Sequence, residues 1–350
     1  MARTTGRVTA VEVARHSGVS QATVSYVLNG STSQRISEET RRRVLQSVEE
    51  LGYRPFQAAR TLRSGQSDVV LFVVPGSVVG HVVGELIDVL ASLLLERGLT
   101  LLVQRMSPSA PLMDVVRAVA PRAVISMVAL GPDARAEIEA SGARVEVIGF
   151  RERGAVPDAD VVQPQEHVGR LQAEHLIAQG HRTLAYALPV GDDLAMFAEP
   201  RLAGVQRACA DAGLEPPLTE VVPLDRDAAA DVVRRWRAAG VTGVCAFIDD
   251  VAIAVLGGAD AAGIAVPGQL SVVGVDDIPL AQLVTPALTS VHLDVDVMAS
   301  DLVVLAGLGT VSDEGGMTHE QIHLIPRASS ARPPGGAAAS IPPASGQMRA

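Results

Sequence analysis

"VTAVEVARHSGVSQATVSYVLNG", Val8 to Gly30, places two short helical patterns on either side of a Ser-Gly-Val turn. Thr9 and Glu12 form a T-x-x-E capping box, in which hydroxyl and carboxylate each satisfy a free backbone N–H, so the first helix is expected to begin near Ala10. Val11 and Ala14, with Val8 ahead of them, recur at helical spacing and are expected to face inward. Gly18 ends this helix, because so tight a turn readily uses positive φ. Ser20 caps a second helix whose Val24, Val27 and Leu28 face inward. Further along, Ser37 opens a third helix, with Glu38 and Glu39 set against its dipole and Gly52 beyond its end. "PFQAARTLRSG", Pro55 to Gly65, is expected to form a short fourth helix, with proline at its start and glycine at its stop.

This opening is basic on an acidic protein. Of 350 residues with a formal net charge of -10, residues 1–65 hold ten arginines against five glutamates, and the remainder carries all of the negative excess. A basic head on an acidic body points to a polyanion partner for the head alone. No lysine occurs, so every fixed cation is an arginine. The N-terminus lacks the apolar run of a secretory signal, and runs such as Val69–Val74 and Ala91–Leu95 are too short to span a bilayer. Cys209 and Cys245 lack the spacing of a disulfide framework or a cysteine zinc site. A cytoplasmic protein, with no membrane association, is expected.

From about Ser67 the pattern alternates. "DVVLFVVPG", "LTLLVQ", "RAVISMV" and "ARVEVIGF" are apolar strand candidates separated by helical stretches such as "VGELIDVLASLLLERG". After "EHVGRLQAEHLIAQGH" the series resumes with "RTLAYALP", "TEVVPL", "GVCAFID" and "LSVVGVDD". Near-continuous apolar strands between helices indicate parallel sheets covered on both faces, here in two doubly wound lobes. The Ala/Pro/Gly/Ser-rich tail, 328–350, is expected to be disordered.

A helix, a glycine-containing turn and a second helix make a helix-turn-helix, whose second helix enters a DNA major groove. Gln21, Ala22 and Tyr26 are its exposed candidates: Gln reads adenine through N6 and N7, Ala offers a methyl contact, and Tyr offers one hydrogen bond plus apolar area. A three-helix packing module without a ligand would share the shape. The stretch, however, resembles almost position by position the headpiece of the LacI/galactose-repressor family of bacterial transcription regulators. The resemblance continues through "ISEETRRRVLQSVEELGYRPFQAARTLRSG", "GHRTLAYALP", "PRLAGVQRACADAG" and "LSVVGVDDIPLAQLVTPALTSV" to "LIPRASS". It implies that Gln21, Ala22 and Tyr26 read bases, and that Thr9, Ser20, Thr23, Ser25 and Asn29 cap helices or contact the DNA backbone. It also implies a hinge helix in "AARTLRSG" that orders on DNA when two copies pair, with Leu62 wedged into the central base step from the minor groove and Ala59 beside it. Read alone, Leu62 is an ordinary core leucine.

The fold implied is an all-α helix-turn-helix headpiece (1–54) with a hinge helix (55–66), followed by a periplasmic-binding-protein-like α/β core (67–327). Within the core, lobe one is expected over about 67–180 with a return near 291–319, and lobe two over about 181–290 plus 320–327. In such folds ligands sit outside the carboxyl ends of the parallel strands. Ser77 follows the first strand, Arg201 in "PRLAG" matches the family's effector-anchoring arginine, Asp249 and Asp250 end "GVCAFIDD", and Asp276 follows "SVVGV". An arginine fork with carboxylates suits a hydroxyl-rich ligand. Asp250 and Asp277 have a plainer reading as helix caps. The chain departs from the family at Asp249, where many members have Asn, and at His167, near which they have an acid or polar residue. Phe150, Phe197 and Phe247 are the aromatic candidates for stacking on a sugar ring. No glycine-rich phosphate loop appears, which disfavours a phosphorylated effector.

"HEQIH", His319 to His323, satisfies H-E-x-x-H, but it leads into "LIPR" as a late strand and lacks the helix and downstream third ligand of that zinc chemistry. The triplet Arg41–Arg43 suits either a solvated helix face or phosphate contacts. The expectation is therefore a homodimeric transcription repressor that binds palindromic operator DNA and is controlled by a small sugar-like effector, with no enzymatic activity, metal or cofactor. Two other readings fit the same residues: a cytosolic small-molecule-binding protein that has lost DNA binding, and an activator or corepressor-dependent regulator.

Overall fold

The computed structural model describes residues 8–28, 36–53, 66–76, 80–107, 111–128, 130–147, 164–191, 194–309 and 322–334. The chain divides between Ser67 and Asp68 into two compact units.

In the first unit, helices α1 (Ala10–Ser17), α2 (Gln21–Leu28) and α3 (Glu38–Leu51) close on a small core of Val13, Ala14, Val24, Val27 and Val44. The capping box is present: the Thr9 N–H donates to Glu12 Oε2 at 2.7 Å, and the Glu12 N–H donates to Thr9 Oγ1 at 3.4 Å. Hydrogen bonding from the Thr9 backbone, and then from its hydroxyl, holds the Glu12 carboxyl below its usual range. Gly18 and Gly52 end their helices at φ 67 and φ 63, in the left-handed region where a Cβ is costly. Ser20 Oγ accepts from the Thr23 N–H at 3.1 Å, and Ser37 Oγ accepts from the Thr40 N–H at 3.2 Å. His16 ties α1 to α3 through Ser47 Oγ at 3.1 Å. One expectation is corrected. Val11 is 48% exposed, whereas Val13 is fully buried, because the inward face of α1 runs through Val13, Ala14 and Ser17. The helix expected over 55–65 lies outside the described residues.

The second unit carries two sheets. The first has the order β2-β1-β3-β4, all parallel, from β1 (Val69–Val74), β2 (Thr100–Arg105), β3 (Ala123–Ser126) and β4 (Arg144–Val147). Helices α4 (His81–Glu96), α5 (Leu112–Val119) and α6 (Pro132–Ala140) alternate with its strands. The second has the order β10-β9-β8-β7-β5-β6, from β5 (Leu184–Leu188), β6 (Leu218–Val221), β7 (Gly243–Ala246), β8 (Ser271–Val275), β9 (Thr289–Leu293) and β10 (Ile322–Ile325). Among its described strands, only β9 and β10 pair antiparallel. Its helices are α7 (Pro164–Ala178), α8 (Ala195–Asp211), α9 (Arg226–Ala238) and α10 (Asp249–Ala261), and α11 (Val295–Leu305) follows β9. Central strands β3, β7 and β8 are buried along their whole length, as apolar runs covered on both faces should be. Edge strands are more open: β2 leaves Leu102 38% and Val103 37% exposed, and β6 leaves Leu218 42% and Val221 48% exposed.

Three boundaries differ from those expected. Helix α7, expected in lobe one, packs on α8 and on β7 to β10, so it belongs to the second sheet. The return to lobe one is carried by α11, which packs on α4, and all of β9 stays in the second sheet. The expected disordered tail does not begin at 328. Ser329 is fully buried, its carbonyl accepts from the Val272 N–H at 2.8 Å, and its hydroxyl accepts from the Thr289 N–H and donates to Val272 O. Ser330 Oγ meets Thr289 Oγ1 at 2.9 Å and His175 Nε2 at 2.8 Å. These hydroxyls satisfy backbone and side-chain groups of β8, β9 and α7, which offsets the low hydrophobicity of the segment.

Candidate functional site

Two places gather candidate side chains, one in each unit. On α2 the buried residues are Val24 and Val27. With 3.6 residues per turn, the helix face opposite them carries Ala22, Ser25 and Tyr26, with Gln21 at its edge in the first turn. Gln21 and Ala22 are exposed and Tyr26 is half-buried. Ala22 and Tyr26, four residues apart, lie one above the other. Ser20 and Thr23 are joined at 2.8 Å between their hydroxyls and fix the start of the helix. The outcome is a short, capped helix that presents amide, methyl, hydroxyl and phenol groups together. Arg15, Arg42 and Arg43 are exposed on α1 and α3, and Arg41 lies 3.9 Å from Glu38. Asn29, Ala59 and Leu62 lie outside the described residues.

In the second unit the candidates collect at the carboxyl ends of β7 and β8. Strand order reverses between β5 and β7, the kind of crevice where open α/β sheets hold ligands. Arg201 sits on α8 and is only 5% exposed. Its Nε donates to Gln165 Oε1 at 2.7 Å, its Nη1 donates to Phe247 O at 2.7 Å, and its Cζ stands 4.8 Å from the Phe247 ring centroid. Glycines set this placement. A Cβ at Gly169 of α7 would fall 1.9 Å from Arg201 O, and one at Gly204 of α8 would fall 2.0 Å from Glu166 O. The two helices therefore cross backbone to backbone, which brings Arg201 over the end of β7. Gly169→Ala is expected to push α8 outward and cost roughly 1–3 kcal/mol, the usual overpacking penalty. Urea unfolding would measure it, and an unchanged midpoint would show that the crossing tolerates a methyl.

Asp276 follows β8 with φ 101, and Asp277 follows it with φ 51, two successive non-glycine residues in the left-handed region. Burial pushes the half-buried Asp276 carboxyl up to about 7; the nearby Arg201 opposes that shift and Asp250 adds to it. Asp249 is fully buried. Its Oδ1 accepts from Ser290 Oγ at 2.6 Å and its Oδ2 accepts from the Ile278 N–H at 2.9 Å. Gly274 makes the room, since a Cβ there would fall 2.0 Å from Asp249 Oδ1. Burial also pushes the Asp249 carboxyl up to about 7, against the Ser290 hydrogen bond.

These positions refine the expected set. Asp249 braces the β8–β9 connection with both carboxylate oxygens, so it does not project toward a ligand. Phe247 packs beneath the Arg201 guanidinium, and Phe197 is buried in the main core cluster, so neither ring is free to stack on a sugar. His167 is half-buried on α7, two residues from Gln165. Ser77 and Phe150 lie outside the described residues. Asp250 does not cap α10, whose capping residue is Ile248, and Asp277 pairs with Arg327 at 2.5 Å.

Sequence reasoning missed Gln165, Tyr186 and Gln172. Tyr186 is fully buried on β5, and burial raises its phenol above the usual range. Gln172 is also fully buried, and its amide donates to Ala246 O at 2.8 Å, Val273 O at 3.0 Å and Gly274 O at 3.1 Å. Its signal was available: Val168, Gln172 and Leu176 recur every fourth residue, which puts a polar residue in line with two buried ones.

Known proteins match both units. A family profile described as bacterial regulatory proteins, lacI family, matches residues 9–55, and one described as periplasmic binding protein-like domain matches residues 173–330. The HTH-type transcriptional regulator GntR of Pseudomonas aeruginosa is 33% identical over 302 residues, covering 83% of this chain and 85% of that protein. The HTH-type transcriptional regulator AscG of Escherichia coli is 31% identical over 312 residues, covering 84% and 90%. Among solved structures, a lac repressor dimer bound to operator and the anti-inducer ONPF superposes with a TM-score of 0.71 at 21% identity, covering 93% of this chain and 100% of that one. The transcriptional regulator CelR in complex with cellobiose superposes with a TM-score of 0.60 at 26% identity, over the same shares.

Proposed function

The chain belongs to the lacI family of bacterial regulatory proteins, and from that premise we propose that it is a cytoplasmic, homodimeric repressor whose hold on a palindromic operator is set by a small, sugar-like effector. It is a DNA-binding transcription regulator. The observation that carries the DNA-reading assignment is the solvent face of α2, where Ala22 and Tyr26 stand opposite the buried Val24 and Val27, with Gln21 at the edge. In this reading those three side chains meet base edges, while Thr9, Ser20, Thr23, Ser25 and Asn29 set register on the phosphates. Residues 55–66 form the hinge, with Leu62 as the minor-groove wedge beside Ala59. Dimerisation is supported by apolar side chains left open on the second unit: Leu95 at 74%, with Leu102 and Val103 on edge strand β2.

The effector sits at the ends of β7 and β8, anchored by Arg201 and Asp276, with His167 of α7 as a further contact. Cellobiose in the CelR complex and ribose in a regulator of this fold from Enterococcus faecium support a neutral, hydroxyl-rich ligand. A guanidinium and a carboxylate together offer donors and acceptors to such hydroxyls.

Binding-site selection from random duplexes, followed by mobility shift, tests the assignment. Replacing Gln21 or Tyr26 by Ala is expected to change the selected sequence, at roughly 1–3 kcal/mol for each well-made interaction with a base edge. An unchanged consensus would place the reading face elsewhere. No mobility shift even at low salt would leave only a small-molecule-binding role.

A further inference from the structure

The H-E-x-x-H pattern does not form the helical zinc motif, because Ile322–Ile325 is a strand. That strand instead sets His323 directly across from His292 of β9. The two imidazole centroids lie 5.1 Å apart, with the rings tilted by 47°. Asp277 Oδ2 lies 3.6 Å from His292 Nδ1, and Arg327 pairs with the Asp277 carboxylate through Oδ1 at 2.5 Å.

We propose that His292 and His323 form a two-imidazole site for a divalent transition-metal ion of the zinc–copper group, bridging β9 to β10. Imidazole is a good ligand for these ions, and two histidines paired across antiparallel strands reach one ion without backbone movement when their rings are this close. The Asp277 carboxylate faces Nδ1 of His292, so Nε2 is the nitrogen left for metal. At 3.6 Å the carboxylate makes no hydrogen bond to that ring, but it places a negative charge beside it, which favours a cation bound on the other ring nitrogen. The same carboxylate offsets the charge of Arg327, the cation that touches it. His323 is exposed and the His292 side chain is 38% exposed, so an ion from solvent has access and water completes its coordination. Among the described residues no group of three or more metal-ligating side chains occurs, which sets the site apart from a closed structural zinc centre and limits its affinity. Position gives the site a consequence. Strand β9 leads out of the second sheet toward α11, and β10 begins the return, so an ion there ties the outgoing strand to the incoming one.

The test uses the full chain, stripped with chelator and titrated with Zn²⁺ and separately with Cu²⁺, with heat of binding and melting temperature both recorded. One ion per chain, tighter binding of Cu²⁺ than Zn²⁺, and a rise in melting temperature on loading are expected. His323→Gln and His292→Gln should each abolish the saturable phase while leaving the circular dichroism spectrum unchanged. Asp277→Asn should weaken binding, because it removes the negative charge 3.6 Å from the His292 ring. Because His323 is exposed, its variant keeps the test clear of folding defects. Undiminished binding by His323→Gln would overturn the proposal, as would a wild-type chain that shows no saturable binding of either ion at millimolar concentration.

Discussion

Arg201→Ala is expected to abolish the response to effector while operator binding persists, giving permanent repression in cells. The headpiece keeps its own caps and core, none of which involves Arg201. What fails is the proposed effector site. The guanidinium joins Gln165 of α7 to the carbonyl of Phe247 at the end of β7 and covers the Phe247 ring. Alanine leaves these acceptors unpaired in a buried place and removes the cation–π interaction. The cost is on the order of 2–6 kcal/mol, from about 1–3 for each of the two stranded acceptors, with less for the ring. Urea unfolding separates this loss from the functional one. Arg201→Lys sharpens the distinction, since a point charge on a flexible stem cannot hold both partners as a planar fork does. A reporter assay, with an effector first found by thermal-shift screening of neutral sugars and polyols, gives the readout. A normal response from Arg201→Ala would move the effector site elsewhere.

Asp249→Asn is expected to flatten the dependence of stability on pH. The folded-state carboxyl titrates at about 7, against an ordinary value of 3.8, because burial disfavours the charge. A raised pKa means that the folded chain holds this proton where the unfolded chain has lost it. The stabilising contribution is therefore complete below the ordinary carboxylate range and disappears as pH rises through about 7. Within that window the slope is roughly 1.4 kcal/mol per pH unit for one group. Asparagine keeps an oxygen to accept from the Ile278 N–H, and its amide donates to Ser290 Oγ, a hydroxyl able to reverse its role. The variant should melt close to wild type at about pH 4 or below and increasingly above it as pH rises to about 7 and beyond. Asp276, also pushed up to about 7, leaves a residual slope. Parallel melting curves across that range would show that Asp249 is already ionised in the folded chain.

The headpiece was legible because its information is local. Capping residues, left-handed glycines and the buried face of α2 depend on neighbours within one or two turns, and the structure has each of them at the expected residue. The one misreading there, Val11 for Val13, came from judging a face by spacing alone before α3 supplied the other wall. The alternation of apolar strands with helices likewise announced two parallel sheets, since burial on both faces leaves its mark on every residue of a central strand.

Long-range pairing was not legible. From sequence, Asp249 and Asp276 were equivalent strand-end carboxylates beside a matched arginine. Only the fold turns Asp249 inward onto Ser290 and Ile278, forty-one and twenty-nine residues away, while Asp276 remains near Arg201. Composition marked the segment after 327 as disordered, yet Ser329 and Ser330 find partners on β8, β9 and α7 that no local rule could supply. His292 and His323 become neighbours only through strand pairing across thirty-one residues. Local backbone chemistry is written in adjacent residues and survives in any context. A buried polar side chain takes its role from whichever group the packed chain brings to it, and that choice belongs to the tertiary structure.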